Sequence, residues 1–327
     1  MVEPSGVLAE ISFMKSRAIL TAAELDVFTV LGRHPTAKGL AGKIGLDARA
    51  TTRLLDCLVG LGFLEKHHSE YRLTEKGALL SSDHPETVLP MVLHTNHLWA
   101  RWSCLTEVVR RGSAAVQSGR EREPAHEHRK TFVDAMHTVA KGLSAEIADV
   151  YDLSRFRRLL DIGGASGTYT AAFLAKNPSM TAVLFDLEAV IPIAHERLQA
   201  QGLLERVELV EGDFYKDELP KGCDLAFLSA IIHQNSPEQN VELYRKVFRA
   251  LLPGGVILIR DHIMDETRTR PVAGALFALN MLVNTPGGDT YTFQEVKEGL
   301  EAAGFENVSL LRWGERMDSL VEARKPA

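Results

Sequence analysis

The sequence is poor in cysteine, poor in positive charge and free of long apolar runs. Its three cysteines, Cys57, Cys104 and Cys223, are scattered through 327 residues. That spacing suits reduced core thiols and argues against a disulfide framework or a zinc knuckle. Lysine and arginine number 37 against 43 aspartates and glutamates, a net charge of -6. The balance gives no electrostatic ground for nucleic acid or an acidic membrane as the main partner. No apolar run approaches the roughly 18 residues of a membrane span, and no charged-then-apolar leader pattern opens the chain. The expectation is a soluble, cytoplasmic protein. Long repeats and low-complexity blocks are absent, and the length suffices for two domains with sizeable cores.

The phosphate-binding signatures are missing too, although a glycine-rich turn is present. Residues 159–168 read Leu-Leu-Asp-Ile-Gly-Gly-Ala-Ser-Gly-Thr, the pattern of a buried strand, a turn and a helix. Ala165 and Thr168 stand where a GxGxxG fingerprint needs glycine, and no Gly-Lys-Ser/Thr of a P-loop follows. What remains is Asp161 at a strand end, followed by Gly163, Gly164 and Gly167, which permit close ligand approach. That combination suits a ligand with a cationic amino-acid end and a ribose, such as S-adenosylmethionine.

The next segments extend the same pattern. Residues 180–186 predict a second strand ending in Asp186, about 20 residues past the turn, where a carboxylate can accept ribose hydroxyls. Residues 207–210 predict a third strand, and Asp213 beside Phe214 offers an adenine amino group an acceptor and its face an aromatic cover. A fourth strand, 223–229, ends in Ser229, grouped here with Leu187 among the cofactor-binding candidates. An amphipathic helix over 236–252 and a fifth strand over 255–261, after a Pro253-Gly254 break, follow. This alternation predicts an α/β fold, a doubly wound parallel sheet with its ligand at the carboxyl ends of the strands.

Ahead of the sheet, residues 5–31 predict two helices, the second capped by Thr21. A helix over 36–44, another over 48–61 capped by Asp47, and a hairpin from residue 62 to 73 follow. Helices followed by a β-wing make a winged-helix arrangement. Its second helix sets Arg49 and Arg53 against Asp47 and Asp56, so its formal charge is nil, whereas a phosphate-contacting helix is usually basic. Packing against a second subunit is therefore expected in preference to DNA. Residues 85–111 read as a long helical stretch with His94, His97, Trp99 and Trp102, expected over the ligand cleft, and 112–124 as a loop. His126, His128 and His137 raise the local histidine density, but no cysteine or carboxylate stands at a recognisable metal spacing, and no metal is expected. Helices over 131–151, 271–283 and 293–303, the last capped by Thr292, and a final hairpin over 308–312 and 319–323 complete the pattern.

In the order of its parts the chain resembles the small-molecule O-methyltransferase family of the caffeic acid and hydroxyindole type. The likeness rests on Asp161-Ile162-Gly163-Gly164, Phe185-Asp186-Leu187, Gly212-Asp213-Phe214, Leu251-Leu252-Pro253-Gly254-Gly255, and Asn280-Met281-Leu282 with Pro286-Gly287-Gly288. It implies a winged-helix dimerisation domain (1–84), a helical connector (85–154) and a Rossmann-like class I methyltransferase domain with a mostly parallel seven-stranded sheet (155–327). It further implies a homodimer, S-adenosylmethionine as cofactor and a small aromatic acceptor. Gly163 then meets the cofactor's amino-acid end, Asp186 the ribose, and Asp213 and Phe214 the adenine. His233 takes the position of the general base and Asp261 that of the carboxylate orienting it. Trp99, His137, Phe277, Asn280, Met281 and Asn284 are the candidates for the acceptor pocket.

The chemistry accounts for these roles. Methyl transfer from a sulfonium is an in-line displacement, and much of the acceleration is positional. A phenol, of pKa near ~10, needs a base, and an imidazole near ~6.5 serves when a carboxylate holds its tautomer. The chain departs from the family in three places. His233-Gln234-Asn235 stands for the usual His-Asp-Trp, Thr290 for a usual glutamate with Asp289 one residue earlier, and Ala165 for a central glycine, tolerable if φ there is negative. The expected activity is O-methylation of a small aromatic metabolite. Transfer to nitrogen or carbon, a non-methylating hydroxylase or decarboxylase that retains the cofactor, and a ligand-sensing transcription regulator stay open as alternatives.

Overall fold

The computed structural model describes residues 11, 13–112 and 126–327, with residues 126–129 described by backbone alone. The loop expected over 113–124, residues 5–10 and the side chains of His126 and His128 lie outside the described residues. The chain divides into two compact units, Met1–Ala100 and Arg101–Ala327.

The first unit strings helices Met14–Glu24, Val27–Leu31, Ala37–Ile44 and Ala48–Gly60 before an antiparallel hairpin of β1 (Leu64–His67) and β2 (Glu70–Leu73). Side-chain oxygens start the third and fourth helices. Thr36 accepts the Gly39 amide (3.1 Å) and Asp47 the Ala50 amide (2.7 Å). Helix Ala48–Gly60 places Leu55 and Leu58 in a core with Phe28, Leu31, Leu40, Phe63 and Tyr71. Its Asp56 accepts from Lys66 (2.6 Å) and Tyr71 (2.8 Å) on the hairpin, tying the two elements together. Thr21 is not a cap. It lies inside Met14–Glu24, and the break falls later, at Asp26, whose φ of 53° interrupts the helical path.

In the second unit seven strands form one sheet in the order β10-β11-β7-β6-β3-β4-β5. These are β3 (Arg158–Ile162), β4 (Thr181–Asp186), β5 (Val207–Glu211), β6 (Cys223–Ser229), β7 (Leu251–Asp261), β10 (Glu306–Arg312) and β11 (Ser319–Arg324). β8 (Ile263–Met264) and β9 (Tyr291–Thr292) make a short separate pair. Strands β3 to β7 run parallel, whereas β11 joins β7 and β10 antiparallel. Both faces are covered, so the strands read as nearly continuous apolar runs. Leu159, Phe227 and Leu258 face a core shared with helix Thr168–Lys176. Leu160, Leu228 and Ile259 face the core under helices Pro237–Ala250 and Phe293–Ala302.

Two expected boundaries move. The stretch 85–111 is two helices, Leu89–Trp102 and Leu105–Arg111. Pro253-Gly254 lies within β7, because the strand resumes at Leu251 and absorbs the pair in a register shift, with Gly254 at φ 73°. Chain order reverses between β3 and β6, which opens a crevice at their carboxyl ends, the usual ligand position in such sheets. No described helix is long and apolar enough to cross a membrane.

Close backbone packing supplies a stability test in the first unit. A β-carbon at Gly77 would fall 2.0 Å from the Phe63 carbonyl oxygen, a contact that only backbone movement can relieve. Gly77→Ala is expected to lower unfolding free energy by about 1 to 3 kcal/mol. Urea denaturation of the two proteins measures the difference, and an unchanged midpoint would contradict the packing.

Candidate active site

The glycine-rich turn crosses the carboxyl end of β3. Asp161 is buried there, and Thr170 Oγ1 donates to its Oδ2 at 2.6 Å. Burial pushes the Asp161 carboxyl up to about 6, against the opposing pull of that hydrogen bond. Gly163 has φ 68°, and a β-carbon there would come within 2.6 Å of Ile231 Cδ1. Gly164 accepts the Gly167 amide (2.8 Å), and Gly167 precedes helix Thr168–Lys176 as its N-cap. Ala165 does not have the negative φ that would suit alanine; it sits at 48°, in the left-handed region. Its amide donates to Asp186 Oδ2 (2.8 Å), and the Leu187 amide donates to Oδ1 (2.7 Å). The carboxylate of β4 thus holds the turn of β3 in this conformation. Burial raises the Asp186 pKa, and the two amides oppose that rise.

Beyond β5, Asp213 accepts the Tyr215 amide (2.9 Å) and pairs with Lys216 (2.9 Å). Lys216 leads in holding its pKa down. Phe214 lies against Tyr215, ring centres 4.6 Å apart, and near the Gly163 turn. Ser229, at the end of β6, accepts from Arg260 Nε (2.7 Å). The crevice therefore combines acidic groups, a turn cleared of side chains and an aromatic face. These features fit S-adenosylmethionine, whose cationic amino-acid end, ribose and adenine call for that donor and acceptor set.

Across the crevice, the turn Ile232–Gln234 carries His233. His233 Nδ1 lies 2.9 and 3.0 Å from the two carboxylate oxygens of Asp261, which also accepts the His262 amide at 2.8 Å. Burial opposes charge on Asp261, yet His233, Arg260 and the amide outweigh it and hold the pKa below the ordinary carboxylate range. An Nδ1–H donated to Asp261 leaves the lone pair on Nε2, the arrangement of a general base. The His233 ring meets Phe277 edge-on, centroids 4.8 Å apart.

Asn235, Thr290 and Asp289, at departures from the family pattern, each have a structural role, whereas nothing in the structure explains Gln234. Asn235 is fully buried, accepts from Tyr215 Oη (2.5 Å) and donates to Asn240 (2.9 Å), while its carbonyl accepts from Tyr291 Oη. Asn240 in turn donates to the Ile232 carbonyl (2.9 Å). An asparagine here ties the His233 turn to the loop after β5. Thr290 is buried, and Asp289 faces Arg268 (3.4 Å) and the Thr290 amide (2.7 Å). Among the described residues Asp261 is the only carboxylate in contact with His233.

The acceptor-pocket candidates fall on several elements. Phe277 stands between His233 and His262, and Met281, one helical turn on, is buried. Asn280 accepts from Trp102 Nε1 (2.9 Å), and Asn284 from Arg101 (3.1 Å). Trp102, in the stretch expected over the ligand cleft, thus engages this helix. Trp99 belongs to the first unit, packing on Phe13 and under Arg17. His137 contacts Thr168 Oγ1 (2.8 Å), beside the glycine-rich turn. No sequence signal singled out Tyr215, Asn240 or Tyr291, since hydrogen bonds between distant loops leave no periodicity.

The left-handed Ala165 generates a test. Ala165→Gly is expected to stabilise the protein by about 0.5 to 1 kcal/mol, because glycine relieves the steric cost but adds freedom to the unfolded chain. A denaturation midpoint that falls instead would be inconsistent with a left-handed alanine.

Residues 103–306 match the O-methyltransferase domain family, and residues 10–83 match the O-methyltransferase dimerisation domain. The chain is 31% identical to acetylserotonin O-methyltransferase of Gallus gallus, over 94% of each protein. The crystal structure of human N-acetylserotonin methyltransferase in complex with SAM superposes with a TM-score of 0.85 at 26% identity, covering 100% of this chain and 99% of that one. The N,N-8-amino-8-demethyl-D-riboflavin dimethyltransferase RosA of Streptomyces davawensis superposes with a TM-score of 0.83 at 29% identity, covering 99% and 100%. With this sheet and this crevice, the chain belongs to the O-methyltransferase family, whose class I catalytic domain uses S-adenosylmethionine.

Proposed function

We propose that this enzyme transfers the methyl group to a hydroxyl of a small aromatic acceptor, with His233 as general base and Asp261 as its orienting partner. The observation that carries this reading is the buried His233–Asp261 contact beside Phe277. S-adenosylmethionine, when bound, supplies an electrophilic methyl carbon on a sulfonium. Asp161 attracts the cationic amino-acid end, Asp186 and the Leu187 backbone receive the ribose, and Asp213 and Phe214 hold the adenine. The glycine-rich turn of Gly163, Gly164 and Gly167 lets the ligand approach the backbone. His233 Nε2 removes the hydroxyl proton as the acceptor oxygen attacks, and Asp261 stabilises the imidazolium. Phe277 and Met281 supply apolar wall. The first unit, a winged-helix arrangement matched to a dimerisation domain, pairs two copies of the chain.

A nitrogen acceptor is the second reading, and the similarity to RosA, named for an amino substrate, favours it. There a base matters less, since an amine nitrogen already carries a lone pair. Mass spectrometry of the product with isotope-labelled methyl locates the label on oxygen or nitrogen.

Methyl transfer to a panel of phenols, catechols, carboxylates and amines is expected to select a phenol. In His233→Ala the rate should fall by about 10²- to 10⁴-fold. Transfer that survives in the variant would remove the general-base role. Asp186→Ala is expected to weaken cofactor binding by about 1.5 to 3 kcal/mol, and calorimetry with unchanged affinity would take Asp186 out of the site.

The Asp161 carboxyl, raised to about 6, also sets a pH dependence. The ionised form attracts the ligand's ammonium, so affinity for S-adenosylhomocysteine should be level above pH 6 and decline as pH falls below it. In Asp161→Asn the same titration should be flat over that range. A decline that persists in the variant would point to another group.

A further inference from the structure

Among the described residues Arg260 is a buried cation without a carboxylate partner. It is 6% exposed at the carboxyl end of β7. The pleat turns it to the face of Leu258, opposite to its neighbour Asp261. Its Nε donates to Ser229 Oγ (2.7 Å), its Nη1 to the Met317 carbonyl (2.7 Å), and its guanidinium lies 5.2 Å from the Tyr169 ring centre. Nη2 has no protein acceptor among the described residues. The nearby acids are engaged elsewhere. Asp261 holds His233 and the His262 amide, Asp318 holds Arg312 (2.5 Å) and the Arg316 amide (2.9 Å), and Asp161 takes Thr170. A guanidinium removed from water without a counter-ion is costly, and an anion that enters the crevice relieves that cost.

Tyr169 adds an independent observation. Its hydroxyl is buried near Ser229 with no hydrogen-bond partner of good geometry among the described residues, while the residue itself is only 7% exposed. Tyr169 opens the helix after the glycine-rich turn, directly before Thr170, which binds Asp161. The sheet register sets these groups side by side. Asp161 on β3 pairs with Phe227 on β6, and Ser229, two residues on, pairs with Arg260 on β7. Asp161, Ser229 and Arg260 therefore share one face across three neighbouring strands. A buried acid and a buried cation, not paired with each other, flank the turn. That arrangement is complementary to a zwitterionic α-amino acid.

We propose that Arg260 and the Tyr169 hydroxyl receive the α-carboxylate of the cofactor's amino-acid end, opposite the Asp161 that faces its ammonium. The proposal rests on S-adenosylmethionine as cofactor and deepens the reading of that site. It is independent of the acceptor and of the role of His233. Arg260 thereby holds the sulfonium in line from the end of the ligand remote from the acceptor.

The test compares two ligands by calorimetry. S-adenosylhomocysteine carries the amino-acid end, whereas 5′-methylthioadenosine has the same nucleoside and sulfur without it. In Arg260→Met the homocysteine ligand should bind about 10- to 100-fold more weakly, the range of a lost charge-assisted hydrogen bond, while methylthioadenosine affinity stays within about twofold. Arg260→Lys should recover part of the loss. Tyr169→Phe should show a smaller loss with the same ligand selectivity, and it carries the test alone if Arg260→Met does not fold. Equal losses for both ligands, or none, would overturn the proposal and leave the cofactor site intact. A wild-type protein that binds neither ligand would remove the cofactor site and the proposal together.

Discussion

The parallel register of β3, β6 and β7 is the constraint on which the site depends. Asp161, Ser229 and the adjacent pair Arg260 and Asp261 belong to three strands far apart in the chain, yet ladder pairing brings them to one edge of one sheet. The two-residue period of a strand then divides the labour. Arg260 joins the face of Tyr169 and Asp161, and Asp261 joins the face from which His233 approaches. A shift of one residue between β6 and β7 would exchange those faces, bury a guanidinium beside the imidazole and separate the carboxylate from it. Apolar packing on both sides of the sheet opposes such a shift, because Ile257 and Ile259 would change places with Leu258.

Buried polar groups hold the loops that the sheet does not. The Asp186 carboxylate accepts two backbone amides, one from its own strand end and one from Ala165, so the turn after β3 is fixed by the strand beside it. Asn235 does the corresponding work on the other side, joining Tyr215, Asn240 and Tyr291 around the segment that carries His233. Each of these groups costs free energy to remove from water, and each has partners that offset the cost. Among the described residues the exceptions are Asp26 Oδ1 in the first unit and Tyr169 Oη and His262 Nδ1 in the second. A crevice that receives a polar ligand is where unmet hydrogen-bonding capacity is expected.

The family resemblance and the physical reading of residues complement each other at the three departures. Asn235, where the family usually has tryptophan, belongs to a buried hydrogen-bond network. Thr290 packs inside, and Asp289 turns to Arg268, so neither supplies a second carboxylate at His233. Ala165 is the one place where the expected condition fails, since the turn demands a left-handed residue and alanine occupies it. The bond from its amide to Asp186 holds it there.

The sequence by itself determined the alternation of strands and helices and the acidic residues at the strand ends, while the seven-stranded sheet and the role expected of His233 came from the family resemblance. Local causes suffice for the first two. Runs of apolar residues mark buried strands, Thr292 caps its helix, and Asp161 and Asp186 stand at the ends of β3 and β4. Some local signals misled, as Thr21 and Pro253-Gly254 did, because a residue suited to a cap or a break is tolerated inside an element when its neighbours pack well. Tertiary structure alone decided which distant groups meet. That Trp102 reaches Asn280, that Tyr215 reaches Asn235, and that Arg260 lies over Tyr169 depends on side chains projected across strands and loops. Such meetings have no period in the sequence, because they follow from the register of the sheet and the space left after its cores are filled.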